Sequence, residues 1–213
     1  MGFFFIKLMR ILQFTFYLYS KLLKTASMSI SNILDYIHEL PKQSKLALQN
    51  NISEVSFPKG HILLKANKIE PNIYFIKKGL VRAFIERDNE VTFWFGKEGE
   101  TIISMKSYVE DKPGYESIEL LEDCELYELK TDNLRKLFSE DVHIANWGRK
   151  FAEKELIKTE ERLISKQFKN ASERYLELMK DHPELIQRVQ LGHIASYLGI
   201  TQVSLSRIRA ELK

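Results

Sequence analysis

Apolar side chains recur along this chain with different periods, and each period predicts a different kind of element. In MSISNILDYIHEL, beginning at Met28, the residues Ile30, Ile33, Leu34 and Ile37 make one stripe at helical spacing, with Ser29 or Ser31 placed to cap the helix. From Ile52 to Leu129 that period vanishes. Short β-rich runs replace it: VSF (55–57), HILLK (61–65), NIYFIKKG (72–79), LVRAFIE (80–86), VTFWFG (91–96), ETIIS (100–104), SIELL (117–121) and ELYELK (125–130). Gly60, Gly79, Asp88-Asn89, Gly96, Gly99 and Pro113-Gly114 punctuate them as turn formers. Many short strands at nearly regular spacing predict a small antiparallel sandwich or barrel, with a hairpin tip at Arg87-Asp88-Asn89-Glu90.

A helical segment follows, from about Glu140 to Gln167. Apolar residues recur seven apart within it: Ile144 to Phe151, Leu156 to Leu163, and Ile157 to Ile164. Lys154 and Lys158 interrupt the register. The seam fits either a two-helix interface between chains or packing against the chain's own β domain. Its length of ~42 Å outruns a small domain and favours the first.

The last stretch, RVQLGHIASYLGITQVSLSRIRAELK from Arg188, has the pattern of a helix-turn-helix. Leu191, Ile194, Ala195 and Leu198 form one apolar face, and Gly199 can end that helix in a left-handed conformation. Ile200 can plug the corner, Thr201 can cap a second helix, and Leu205 and Ile208 face inward. That leaves Gln202, Val203, Ser206, Arg207 and Arg209 to solvent. Arginine pairs bidentately with guanine edges and glutamine with adenine edges in the major groove. Thr201, Ser204 and Ser206 suit phosphate contacts more than core packing. Arg207 is the residue expected to read a guanine, followed by Gln202.

Composition narrows the class. One cysteine, Cys124, excludes a disulfide framework and any iron–sulfur cluster ligated by cysteines of one chain, and suits a reducing cytoplasm. His38, His61, His143, His182 and His193 are scattered, with no pair at metal-ligand spacing on a helix. No Gly-rich phosphate loop or His-paired nucleophile appears, so the sequence predicts no catalytic residue, no metal and no cofactor. Glu119, Glu122 and Asp123 read as a solvated strand edge rather than a catalytic pair. The net charge of +3 hides an asymmetry: residues 28–142 carry 15 basic against 20 acidic side chains, and residues 143–213 carry 13 against 9. An acidic middle joined to a basic tail matches a sensor domain and a polyanion-binding domain.

The first 27 residues differ from the rest, with Lys7, Arg10, Lys21 and Lys24 and no acid. No apolar run reaches the ~18–20 residues of a spanning helix. On a helix the four cations cluster on about a third of the circumference, the layout of a helix lying on an anionic membrane. The alternative is that translation starts at Met28 and the preceding codons are a mis-called start.

In this order of elements the chain resembles the Crp/Fnr family, the cyclic-AMP receptor protein and its relatives, over residues 28–213. The most specific match is RLISKQFKNASERYLELMKDHPELIQRVQLGHIASYLGITQVSLSRIR, Arg162 to Arg209, which looks like the DNA-binding half of members common in Bacteroidetes. The resemblance implies an α+β chain: a cyclic-nucleotide-binding-type β jelly roll over 28–138, a dimerisation helix over 139–168, and a helix-turn-helix domain over 169–213. It implies base contacts near Gln202, Val203 and Arg207, and phosphate contacts at Thr201 and Ser204. Gly60, Gly79 and Gly99 sit where the family's jelly roll has its turns. The sequence given ends at Lys213, so a domain lacking a full wing is expected.

One departure bears on the effector. Cyclic-AMP binders neutralise the cyclic phosphate with an arginine, and a buried phosphate without a cation is costly. The corresponding stretch here, TIISMKSYVEDKPGYESIELLED (101–123), contains none; Glu116 precedes Ser117 where that arginine is expected. An unoccupied or repurposed pocket is therefore expected, with Ser104, Lys106, Tyr115 and Ser117 as candidate lining. The leading expectation is a homodimeric, cytoplasmic transcription regulator that binds a palindromic operator in double-stranded DNA. RNA polymerase and a small-molecule effector are candidate partners. The alternative is a ligand-sensing module whose output is a protein or membrane contact.

Overall fold

A computed structural model describes residues 27–86 and 88–212. Apart from Ser27, the basic segment 1–27 and its membrane reading lie outside the described residues, as do Arg87 and Lys213.

The β-rich runs form eight strands: β1 (Ile52–Phe57), β2 (Ile62–Leu64), β3 (Asn72–Lys78), β4 (Val81–Glu86), β5 (Glu90–Gly96), β6 (Thr101–Ile102), β7 (Ser117–Leu120) and β8 (Cys124–Lys130). They make two four-stranded antiparallel sheets, ordered β1-β8-β3-β6 and β2-β7-β4-β5. β4 and β5 pair antiparallel as the expected hairpin requires, with Glu86 opposite Glu90. Gly79 turns the chain from β3 to β4 at φ 117°, and a Cβ there would collide with the Sγ of Cys124. Only glycine satisfies both conditions.

Burial in β3 explains why its run is continuously apolar rather than alternating. Tyr74 and Ile76 point between the sheets, into a cluster with Val81, Ile102, Ile118, Leu120 and Leu126. Ile73 and Phe75 point the other way, under a layer of helices. A strand covered on both faces has no polar side.

The helical layer is α1 (Ile30–Ile37), α2 (Lys42–Gln49), α4 (Thr131–Glu140) and the start of α5 (Val142–Phe168); α3 (Met105–Glu110) is a short turn of helix between β6 and β7. Ser29, not Ser31, caps α1, its Oγ accepting from the Asn32 N–H at 3.3 Å. Trp147 of α5 is buried and donates its Nε1–H to the Leu34 carbonyl at 3.0 Å, locking α5 onto α1.

The seven-residue seam of α5 divides in two. Ile144 is fully buried and Phe151 half-buried in the chain's own core. Beyond them Leu156, Ile157, Leu163, Ile164 and Phe168 stand exposed, Leu163 at 62% and Phe168 at 76%. Packing on the chain's own β domain, one of the two expectations, thus describes the first half of the helix, and the second half is exposed in the single chain.

Four helices complete the chain: α6 (Ala171–Asp181), α7 (Pro183–Arg188), α8 (Leu191–Leu198) and α9 (Gln202–Glu211). Asn170 opens α6 with a capping box, accepting from the Glu173 N–H while Glu173 accepts from its own N–H. Among the described residues no helix is long and apolar enough to cross a membrane.

Candidate nucleic-acid interface

Helices α8 and α9 form the pair that the spacing predicts. Ile194, Ala195, Leu198 and Leu205 are buried in one cluster, with Ile200 and Ile208 packed against it. Gly199 closes α8 at φ 69°, and among the described residues no atom lies within 4 Å of where its Cβ would be. Thr201 caps α9, its Oγ1 accepting from the Ser204 N–H at 3.1 Å, and the Ser204 hydroxyl lies 3.0 Å from the same atom.

Beyond the cap, α9 turns its functional candidates outward. Gln202, Val203, Ser206, Arg207 and Arg209 are all exposed, and Ser204 is half-buried. Val203, an apolar side chain, is 64% exposed. Neither Arg207 nor Arg209 forms an ion pair or hydrogen bond among the described residues. Two guanidinium groups and an amide are therefore offered on one rod with their donors unspent.

The opposite side of this helix pair is docked on the β domain. The shared cluster includes Leu80, just before β4, and Phe95 of β5, and the rings of Phe95 and Tyr197 lie 5.2 Å apart. β5 is an edge strand, and α8 covers its edge. The Ser196 hydroxyl donates to the Glu90 carbonyl at 2.9 Å and accepts from the Thr92 N–H at 2.9 Å, as a neighbouring strand would.

Charged contacts reinforce the docking. Arg188 reaches Glu98 through Nη1 and Nη2 at 3.0 and 2.9 Å, and Glu122 through Nε and Nη2 at 2.9 and 2.6 Å. Burial pushes the Glu98 carboxyl up, but the hydrogen bonds from Arg188 and from the Gly79 N–H outweigh it and hold it below its ordinary value. Lys97 donates to Glu184 at 2.5 Å. Within the second sheet, buried Arg82 of β4 is held by Glu119 of β7 at 2.6 Å and Glu90 of β5 at 2.7 Å. His193 of α8 is held below its ordinary value of 6.5, by burial first and then by the charge of Arg82.

The acidic cluster is thus not a solvated edge. Glu119 anchors Arg82, Glu122 anchors Arg188, and Asp123 accepts from the Lys59 N–H at 2.8 Å. These partners lie too far away in sequence for local patterning to show them.

The four candidate effector residues do not converge. Ser104 is buried with its Oγ unpaired and borders a cleft of only about 10 Å³, beside Gly114 and Glu116. Ser117 is buried and its hydroxyl accepts from the Ala66 N–H at 3.1 Å, while Lys106 and Tyr115 are exposed. Among the described residues no group of three or more His, Cys, Asp or Glu could hold a metal ion.

Residues 54–141 match the family model of the cyclic nucleotide-binding domain. Over that stretch the chain is similar to cyclic nucleotide-binding domains. The match runs from β1 to the N-cap of α5, Asp141, and so spans both sheets.

Solved structures align with this domain and the helices after it. The c-di-GMP responsive global regulator CLP from Xanthomonas campestris is 18% identical, with 81% of this chain and 91% of that chain covered and a TM-score of 0.65. FixK2 from Bradyrhizobium japonicum is 20% identical, covering 76% and 84%, with a TM-score of 0.63. A crp/fnr-family protein from Eubacterium rectale is 14% identical, covering 81% and 83%, with a TM-score of 0.66. At these identities the likeness establishes a shared fold. No curated protein sequence matches the chain.

Proposed function

We propose that this chain is a sequence-specific, DNA-binding transcription regulator of the Crp/Fnr type that acts as a homodimer. The observation that carries the reading is the outward face of α9. Arg207, Arg209 and Gln202 are exposed and uncommitted on the second helix of a helix-turn-helix, the element that enters the major groove. The shared fold with a crp/fnr-family protein supports the same reading.

The dimer rests on the second half of α5. Leu156, Ile157, Leu163, Ile164 and Phe168 form an apolar surface that a monomer would leave in water, and a second copy of the helix would cover it. Two recognition helices would then read half-sites about 34 Å apart, which makes the operator a palindrome. Arg207 would read a guanine and Gln202 an adenine, with Thr201, Ser204 and Ser206 near phosphates.

Selection of bound sites from a pool of random duplex DNA tests this directly. A two-fold symmetric consensus with half-sites one helical turn apart is the expected result. Enrichment of no sequence, with binding that depends only on salt, would overturn it.

A further inference from the structure

A sizeable cavity lies outside the interior of the jelly roll. A cavity of about 560 Å³ opens between β5, the turn after it, the second half of α5, and the helix-turn-helix domain. That volume lies within the range of small-molecule sites, about 300–1,000 Å³, whereas the cleft beside Ser104 has room for roughly one water.

Its walls have a definite chemistry. Trp94, Phe95 and Tyr197 supply an aromatic side. Tyr197 lines the cavity, and its hydroxyl makes no hydrogen bond among the described residues. Lys158 and Arg162, one turn apart on α5, also line it. Among the described residues Arg162 donates to the Thr159 hydroxyl, at 3.2 Å, and has no carboxylate partner. The acids nearby are largely spent: Glu98 on Arg188, and Glu177 on Lys169 and Ser165. Burial pushes the Glu100 carboxyl up, toward its neutral form, although the charge of Lys158 opposes this. Glu161 and Asp181 lie exposed at the rim. A guanidinium without a carboxylate partner, in one cavity with aromatic rings, recognises a flat molecule with a negative end.

We infer that this inter-domain cavity binds a small planar organic anion, with its ring against Trp94 and Tyr197 and its carboxylate or phosphate on Arg162. The face of α5 that lines the cavity is distinct from the exposed apolar face, so dimer formation leaves the site open. The occupant touches both the β domain and the helix-turn-helix domain and stabilises their docking by mass action. The site goes beyond the DNA-binding reading and does not depend on it.

Three aromatic anions serve as probes: indole-3-acetate, salicylate and adenosine 5′-monophosphate. They are titrated into the full chain and followed by tryptophan fluorescence and calorimetry. Indole, which has the ring but no charge, is the control. At least one anion should bind saturably with a Kd below about 1 mM, indole about tenfold weaker than indole-3-acetate, and Trp94→Phe should remove most of the fluorescence change. Arg162→Gln should weaken binding about tenfold, and Arg162→Lys less, with melting temperatures unchanged. Carboxylate against phosphate preference follows from which anion binds. No saturable binding by any probe, equal binding of indole, or an unchanged affinity in Arg162→Gln would each overturn the inference. None of these readouts involves DNA, so failure here and failure to select an operator are separate results.

Discussion

Arg188 and Glu98 face each other as a fork on a carboxylate, with paired hydrogen bonds of 3.0 and 2.9 Å across 90 residues of sequence. The same guanidinium also holds Glu122, so one side chain from α7 gathers two acids of the β domain. Bidentate geometry and partial burial both strengthen this tie between the β domain and the helices after it.

Removing that tie should loosen the docking rather than unfold the β domain. Arg188→Ala leaves Glu98 and Glu122 half-buried without their cation, at a cost of about 2–3 kcal/mol to the docked arrangement. Hydrogen exchange should speed up at Thr92 and along α8 while the amides of β3 and β8 keep their protection. Uniform loss of protection throughout the chain would contradict this division.

Acidification should weaken the same interface through His193. Its folded pKa is depressed from 6.5, so the docked form keeps it neutral while the solvated form takes up a proton first. The contribution is therefore present above about pH 6.5 and is lost as pH falls through the folded value. Arg82, Glu119 and Glu90 are the charges that act on it. His193→Gln, neutral at every pH, should show a smaller fall in melting temperature between about pH 7.5 and 5.5 than the parent chain.

Base recognition is expected to separate from phosphate attraction within α9. Arg207→Ala should cost about 1–3 kcal/mol on the selected operator and relax the preference at one base position. A uniform loss across all sequences would instead place Arg207 at the backbone. Competition titrations against single-base variants of the operator distinguish the two.

The exposed half of α5 makes its own prediction. Leu163→Glu puts a charge into the proposed seam at a position that touches nothing essential in its own chain, since that side chain is 62% exposed. The variant should sediment as a monomer, melt as a folded protein, and bind an operator half-site far more weakly than the dimer binds the whole. A parent chain that already sediments as a monomer would remove the basis for the two-fold operator.

Gly199 offers a purely conformational test. Among the described residues nothing lies within 4 Å of where its Cβ would be, so Gly199→Ala introduces no clash with them. Its φ of 69° is nonetheless left-handed, and the substitution should destabilise the helix pair by about 1–2 kcal/mol in thermal unfolding.

Local rules made much of this architecture legible. The eight strands lie where alternating or continuous apolar runs stand between turn formers, and α8 and α9 follow from four apolar positions, one glycine and one capping threonine. Period identifies a face but not what covers it. The repeat through Ile144, Phe151, Leu156 and Leu163 reads as one seam, yet its first half meets Phe75 and Trp147 and its second half meets solvent. Glu119 and Glu122 read as surface acids because their arginines lie on other elements. The helix over Met105–Glu110 is six residues long, too short to display a period, and its N-cap residue Ser104 makes no capping hydrogen bond. The cavity beside Arg162 belongs to the assembled domains, and no single stretch of sequence encodes it.

Ser196 carries a last implication. Its hydroxyl occupies the main-chain groups of Thr92 and Glu90 on the rim of the second sheet. Any motion that swings α8 away would uncover a row of unmet amides and carbonyls, which is a template for another strand. An opened form of this molecule should therefore be adhesive toward any exposed strand.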